Sequence, residues 1–548
     1  MATTIPVLVV GGGPIGLGLA ADLGRRGIGT LLIEQNDDVL GSAKMIEVSV
    51  RTMEFCRQLG LSDQIRNWGF PDDYRLDSVF VTDLQGYEIG RIHTPSLAQE
   101  QESTHSPERT RPCPQTWFDP ILKQCAEQFP SVNLRYRTRL ESFTQDPSGA
   151  TAEVIDLASG ERERVACQYL IGCDGYTSTV RAALGIEMRG EFHLDLSMSV
   201  YLRIPDLGRY HDKAQAYRYV CVGPQGAWAV LTTIDGRDLY RLQLIGVPDR
   251  DLEAVDLGAT LRRCVGRDLP FTIEDVSFWV RKMVVADRFM DGRVFLAGDA
   301  AHAHPPNGGL GMNTGMQDAF DLGWKIAATM DGWGGPTLLE SYDYERRPAS
   351  SRAAVESLKN FKRLTANTSY PEIAAASPEG EQLRRVLGQR LVEENEKAWH
   401  PVGVHLGYIY NPSPIVVPDG SDRPADDTVG YAPTAFPGAR APHFWLDADR
   451  SVLDLFGPGF VLLMFEDVET WALEQAAMSR GLPLRVARII SAEGAALYQS
   501  ALVLVRPDGH VAWRGAALPA DPADLIDIVR GAGPRIAARR GGRASRAV

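Results

Sequence analysis

The stretch "IPVLVVGGGPIGLGLAADLGRRGIGTLLIEQ", residues 5–35, constrains the fold more than any other part of the chain. It reads as a buried apolar strand, a glycine turn, a helix and a second apolar strand ending in an acid, which is a βαβ unit. Gly11, Gly13 and Gly16, with Pro14 and Ile15 between them, give the G-x-G-x-x-G pattern. In that pattern missing side chains allow a tight turn, close approach to a pyrophosphate and close packing of helix on strand. The free N–H groups of the helix start then face the phosphates. Glu34, followed by Gln35, closes the second strand where an acid can accept hydrogen bonds from a ribose. The unit predicts a dinucleotide site.

Composition bounds the rest. A chain of 548 residues has room for several domains, and 44% hydrophobic with 23% charged residues is ordinary globular composition. A net charge of -13 argues against nucleic-acid or anionic-membrane partners, which reward basic surfaces. The seven cysteines form no CxxC pair and read as reduced thiols of a cytoplasmic enzyme. "MATTIPVLVVGGG" lacks the charged start of a secretory leader, and no apolar run approaches the roughly 18 residues of a membrane helix.

Two later segments repeat the pattern of strand, loop and helix. "LIGCDGYTSTVRAALGI" places Asp174 and Gly175 at a strand end, and "GRVFLAGDAAHAHPPNGGLGMNTGMQDAFDLGWKIA" does the same with Asp299. Three strand-end sites spread over the first 300 or so residues imply one extended cofactor. His302 and His304 form an H-x-H pair, but no third His, Cys or carboxylate in the loop completes a metal's ligand set. A backbone cradle is the better reading. Pro305 and Pro306 stiffen the loop, while Gly309, Gly311, Met312 and Asn313 offer N–H groups at a helix start.

These ordered motifs resemble the FAD-dependent aromatic hydroxylases, the single-component flavoprotein monooxygenases of the para-hydroxybenzoate hydroxylase type, over roughly residues 5 to 350. The resemblance implies that the first motif holds the ADP half of FAD and that Asp299 contacts the ribityl and pyrophosphate region. It implies that Asp174 and Gly175 serve both FAD and incoming NADH or NADPH. Lys44 and Met45 in "SAKMIEVSVRTMEFC" become flavin contacts, although arginine is common where Lys44 stands, and Gln115 in "CPQTWFDPIL" opens a flavin-contacting helix. The loop before Asn313 would stabilise negative charge on the reduced flavin. By the same resemblance NAD(P)H reduces FAD, O2 gives a flavin C4a-hydroperoxide, and a phenolic substrate is hydroxylated ortho or para to its hydroxyl. No base that would deprotonate the phenol stands out.

The implied fold class is α/β, a Rossmann-like FAD-binding domain with an inserted antiparallel substrate sheet and a thioredoxin-like C-terminal domain. The segments "LDLSMSVYLRIPDL", "QAYRYVCVG", "GAWAVLTTIDG" and "DLYRLQLIGV" read as that sheet. Tyr201, Trp228 and Tyr240 are candidate pocket aromatics with Pro305, against the plain alternative that they fill the sheet's core. The expected boundaries are roughly 1–190 and 276–400 for the FAD domain and its helices, 191–275 for the sheet and 401–430 for a connector, followed by 431–535 for the thioredoxin-like domain and 536–548 for a flexible tail. No cysteine follows Cys264, so the C-terminal domain cannot perform thiol–disulfide exchange and a structural or homodimer-supporting role is expected. Baeyer–Villiger insertion or epoxidation on a polyketide is the alternative reaction, and no W-x-W-x-I segment supports a halogenase.

Overall fold

A computed structural model of the chain describes residues 3–37, 43–252, 255–365, 369–399 and 401–533. The expected tail at 536–548 lies outside the described residues. The chain divides into two compact units, one comprising Met1–Phe320, Ala349–Gly407 and Asp426–Ala432, the other Asp321–Pro348, Tyr408–Ala425 and Pro433–Val548.

In the first unit the sheet that carries the motifs runs in the order Met290–Asp291, Val294–Leu296, Arg162–Gly172, Thr3–Val10, Thr30–Ile33, Val132–Arg135. From Val294–Leu296 to Val132–Arg135 every pairing is parallel. The strand sequences VLVV and TLLI are apolar without alternation because a parallel sheet is covered on both faces; Val7, Leu8 and Val9 are sealed from solvent. Val10 is in register with Gly172 and Ile33, and Gly172 with Leu296. All three motif loops therefore leave the sheet side by side at its carboxyl edge, where open α/β sheets bind their ligands.

The second sheet has eight strands, ordered His302–Ala303, Thr272–Ala286, Met188–Arg203, Leu239–Leu244, Gly226–Thr233, Arg218–Gly223, Ser78–Val81, Glu88–Ile92. It corrects the expected inserted sheet in two ways. One pairing, Arg218–Gly223 with Ser78–Val81, is parallel, and strands are drawn from well outside 191–275. Two long strands, Met188–Arg203 and Thr272–Ala286, cross both expected boundaries, since adjacent pairing in a sheet needs no sequence neighbourhood. Alternation splits the sheet into two faces. Met198, Val200, Leu202, Tyr240, Leu242 and Leu244 pack on one side with Leu261, Cys264 and Val265 of the helix Leu257–Val265. Ser197, Ser199, Tyr201, Leu239 and Arg241 alternate with them and so occupy the other.

The second unit contains a four-stranded sheet ordered Leu484–Arg488, Phe460–Met464, Leu502–Val505, Val511–Gly515. Its first pairing is parallel and the other two antiparallel, the thioredoxin-like arrangement, with helices Trp471–Ser479, Ala492–Tyr498 and Pro522–Val529. The core joins Phe460, Leu462, Leu504 and Ile526 to Trp324, Trp333 and Leu338. Residues 321–348 pack with this unit, because their apolar side chains complete its core. The expected connector is likewise divided: Tyr408–Ala425 clusters with this unit and Asp426–Ala432 with the first.

Candidate active site

The glycine turn fits a dinucleotide for reasons that differ by position. Gly11 has φ +112°, and a Cβ there would lie 2.3 Å from the Cys173 carbonyl oxygen. A Cβ on Gly16 would lie 2.0 Å from the Gly11 carbonyl oxygen, so this glycine sets how closely helix Pro14–Arg25 meets the turn. Around Gly13 a Cβ would meet nothing within 4 Å, leaving its backbone open to a ligand. The Gly12 N–H donates to Glu34 Oε2 at 2.7 Å, and Glu34 Oε1 accepts from the Asn36 N–H and Nδ2 at 2.8 Å. Oε2 keeps acceptor capacity, and the exposed Gln35 follows Glu34 along the chain.

Ile15 ties the first motif to the third. Its Cγ1 sits 2.7 Å from a Cβ position on Gly298, which has φ +62°, and 2.8 Å from that on Gly315, so neither glycine can carry a side chain. Asp299 faces solvent at the mouth of this loop yet is crowded by protein. Desolvation raises its pKa, against the opposing pull of His302, Lys44 and Lys282. Arg181 ties the second motif to the third, donating to the Ala300 carbonyl at 3.0 Å and the Tyr176 carbonyl at 2.7 Å. Asp174 accepts from the Val180 N–H at 3.1 Å through Oδ2, while Oδ1 is buried without a partner and burial raises the pKa. Gly175 beside it has φ +76°.

The histidines are accounted for by packing. His302 Nε2 lies 2.7 Å from Asp318 Oδ2, which also accepts the Gly298 N–H at 3.1 Å, and the ring stacks on Phe289. His304 packs its ring 4.9 Å from that of His302, and burial holds its pKa well below the usual imidazole value. Among the described residues no three His, Cys, Asp or Glu side chains converge as a metal site.

Helix Leu310–Met330 starts inside the glycine run, placing Gly311, Met312 and Asn313 in its first turn. The Asn313 side chain does more than the sequence suggested. Its Nδ2 donates to the Gly309 carbonyl at 2.7 Å and the Glu47 carbonyl at 3.2 Å, and its Oδ1 accepts from Ser49 N–H and Thr52 Oγ1, both at 2.8 Å. It clamps the Gly309 loop to the segment after Met45. Pro306 is exposed and its carbonyl accepts the Gly309 N–H at 3.0 Å; Pro305 is buried with its carbonyl bonded to Ser357 Oγ.

Gln115 is the first residue of helix Gln115–Glu127, as expected. Its backbone N–H donates to the Met45 carbonyl at 3.0 Å, and its Oε1 accepts the Lys44 N–H at 3.2 Å. Nε2 donates to Asp119 Oδ2 at 2.9 Å, one helical turn on. Asp119 was missed by sequence reasoning, although an acid four residues after Gln115 must share its helix face. Desolvation pushes the buried carboxyl up to about 7, and Gln115 and Lys44 only partly oppose it.

Only one of the three aromatic candidates stands on the inward face. Tyr201 packs with Ala43, Ile46, Phe70, Tyr74, Tyr217 and Ile234, and its hydroxyl donates to the Ala43 carbonyl. Tyr240 and Trp228 lie on the opposite face, Tyr240 in the core beneath helix Leu257–Val265 and Trp228 against it under the Arg263 guanidinium at 4.0 Å. They are withdrawn as pocket residues: strand alternation decides the face of Tyr240, and the bulge that skips Trp228 in the pairing with Arg218–Gly223 turns its ring to the side of Ala229. On the inward face Trp279 Nε1 donates to Ser199 Oγ at 3.1 Å and Arg281 Nη2 to Ser197 Oγ at 2.9 Å.

Three loops meeting at the edge of a parallel sheet, with a second sheet presenting aromatic and polar groups toward Ala43–Glu47, define a flavin-dependent oxidoreductase. Residues 4–357 match the FAD binding domain family, and residues 434–531 match the family described as aromatic-ring hydroxylase, C-terminal. The chain belongs to the FAD-dependent aromatic-ring hydroxylase family of monooxygenases. It is 33% identical to tetracenomycin B2 monooxygenase-dioxygenase of Streptomyces olivaceus, covering 96% of this chain and 98% of that one. It is 31% identical to 2,4-dichlorophenol 6-monooxygenase of Cupriavidus pinatubonensis, covering 100% and 98%. The rebeccamycin biosynthetic enzyme RebC, solved with reduced flavin, superposes with a TM-score of 0.91 at 39% identity, covering 97% of this chain and 100% of that one.

Proposed function

We propose that the protein uses NADH or NADPH and O2 to hydroxylate an aromatic substrate ortho or para to a ring hydroxyl. The observation that carries this reading is the register of Val10, Gly172 and Leu296, which delivers Gly13, Asp174 and Asp299 to one edge beside the second sheet's inward face. FAD, when bound, supplies the redox chemistry and the activation of O2. The chain's residues bind, orient and exclude water. Gly13 and the start of helix Pro14–Arg25 would take the pyrophosphate, Glu34 the ribose and Asp299 the ribityl side. Lys44, Met45 and Gln115 would border the flavin, and Pro306, Gly309, Gly311 and Met312 would offer N–H or backbone contact at its edge. Tyr201, held by its hydroxyl to Ala43, would wall the substrate space.

A second reading, oxygenation of a polycyclic metabolite, gains support from identity. The chain is closer to the tetracenomycin enzyme and to RebC, at 33% and 39%, than to the chlorophenol enzyme at 31%. The test is NADH and NADPH oxidation by the purified holoenzyme in air, without additive, with simple phenols and naphthols, and with polycyclic phenols, identifying products by mass and NMR. A single-ring phenol that stimulates the rate and gains one oxygen supports the first reading. Stimulation by polycyclic compounds alone selects the second, and stimulation by none rejects both.

A further inference from the structure

On the face of the second sheet turned away from Tyr201, two thiols meet that the candidate active site does not use. Cys221 lies in strand Arg218–Gly223, and Cys264 in the last turn of helix Leu257–Val265, which covers that face. Both are sealed from solvent, and their sulfurs stand 3.2 Å apart. They share an apolar cluster with Leu84, Ala229, Leu261 and Val265. The Cys264 carbonyl, 3.9 Å from the Cys221 sulfur, accepts the Leu84 N–H at 3.1 Å, which holds this end of the helix against the sheet. Cysteine packs as a small hydrophobe, so packing explains either residue alone but not their meeting sulfur to sulfur.

That contact is close to a bond. A disulfide places its sulfurs about 2.05 Å apart, so closing the gap takes a shift of roughly 1.2 Å, which small rotations of the two side chains supply. The thiols are slow to react as they stand. Their mutual hydrogen bond, then burial, push the Cys221 thiol well above its ordinary pKa, and the thiolate is the reactive form. Access lies at the helix end, where Arg262, Arg263 and Gly266 around Cys264 are exposed, and a helix terminus opens more readily than its core. Once one sulfur is oxidised, the pairing decides the outcome. A sulfenic acid with a thiol in contact is captured as a disulfide before it can proceed to the irreversible sulfinic acid.

We propose that Cys221 and Cys264 form a reversible dithiol–disulfide site oxidised by hydrogen peroxide. One sulfur attacks the peroxide, whose O–O bond breaks to leave a sulfenic acid and a water. The second sulfur then attacks the first, forming the S–S bond, and the displaced hydroxyl leaves as a second water with the second thiol's proton. The two sulfurs lose two electrons and the peroxide gains them. The bond ties the helix to the sheet it covers, and the inference stands apart from the substrate reading because neither thiol faces the glycine loops. Its test uses the wild-type holoenzyme, reduced with dithiothreitol, freed of it, and exposed to a small excess of hydrogen peroxide. The protein is then alkylated in denaturant and digested without reduction, and the peptides are identified by mass. The expected result is a linked peptide pair carrying Cys221 and Cys264, two hydrogens lighter than the free peptides together, with five of the seven cysteines still alkylated and all seven after renewed dithiothreitol. If half-buried Cys173 is oxidised while Cys221 and Cys264 stay alkylatable, exposure and not pairing governs, and the inference falls. Oxidation of Cys221 or Cys264 to a form that dithiothreitol does not reverse, or a linkage of either to another cysteine, overturns it equally.

Discussion

Glu345 in the second unit and Asp119 in the first are carboxylates equally sealed from water, and their proton affinities move in opposite directions. Burial alone would raise both. Glu345 accepts from Lys325 Nζ at 2.6 Å and from Arg506 Nη1 and Nη2 at 2.6 and 3.0 Å, and these cations hold it below the usual carboxylate range. Arg506 also bonds Asp508, and both cations bond Asp321; three acids thus share Lys325 and Arg506, and burial pushes Asp321 up to about 7. Asp119 has an amide on one oxygen and nothing on the other. A buried acid that claims the cations becomes an internal tie, and one that lacks them, as Asp119 does, or shares them with other acids, as Asp321 does with Glu345 and Asp508, holds its proton instead. The region facing the glycine loops is of the second kind, leaving Asp174 Oδ1 and the Tyr217 hydroxyl unpaired as well.

The sharpest way to break the paired region is Arg506→Met, which leaves Glu345 and Asp321 to share Lys325 and takes the guanidinium from Asp508. It is expected to cost about 3–5 kcal/mol, read as a fall in the urea midpoint, and a loss below 1 kcal/mol would show that water already reaches the cluster.

The glycine turn separates fold from ligand by the same logic. Gly16→Ala forces a Cβ onto the Gly11 carbonyl and should abolish FAD retention and lower Tm together. Gly13→Ala meets no protein atom, so Tm of the FAD-free chain should stay within about 2 °C while FAD affinity drops at least about tenfold. Equal loss of Tm in both variants would contradict the assignment of Gly13 to the ligand.

Asp119 gives a pH signature. With its folded pKa raised to about 7, the folded chain holds a proton that the unfolded chain releases near pH 4. Its contribution is therefore full below pH 4 and is lost as pH rises to about 7, at about 1.4 kcal/mol per unit. Asp119→Asn keeps an acceptor for Gln115 and should flatten this part of the stability profile, measured by urea midpoints across that range. An unchanged slope would mean another group carries it.

The smallest effect is expected from Trp228→Phe, which lies on the face away from Tyr201. Substrate KM should change less than twofold, and a larger rise would return Trp228 to the pocket.

Much of the site could be read along the chain because its parts are local. A strand, a glycine turn and a helix are neighbours in sequence, so Gly11, Gly13, Gly16, Glu34 and the Asp299 loop announce themselves by spacing. Gln115 was placed correctly at a helix start for the same reason. The inward face of the second sheet was not legible in this way. Tyr201 and Tyr240 are of one residue type on paired strands, and only registry with neighbours places one toward Ala43 and the other beneath a helix. Nor could spacing show that residues 321–348 complete the core of a unit whose sheet begins more than a hundred residues later.

The sequence by itself determined the elements, the cofactor turn and the chemistry open to the chain, since these depend on backbone sterics and on residues a few positions apart. Only the tertiary structure decided that Asn313 clamps Glu47 to Gly309, that Arg181 reaches Ala300, and that Asp119 stays uncompensated while Glu345 does not. Hydrogen bonding and electrostatics act over a few ångströms of space, and distance along the chain does not report them.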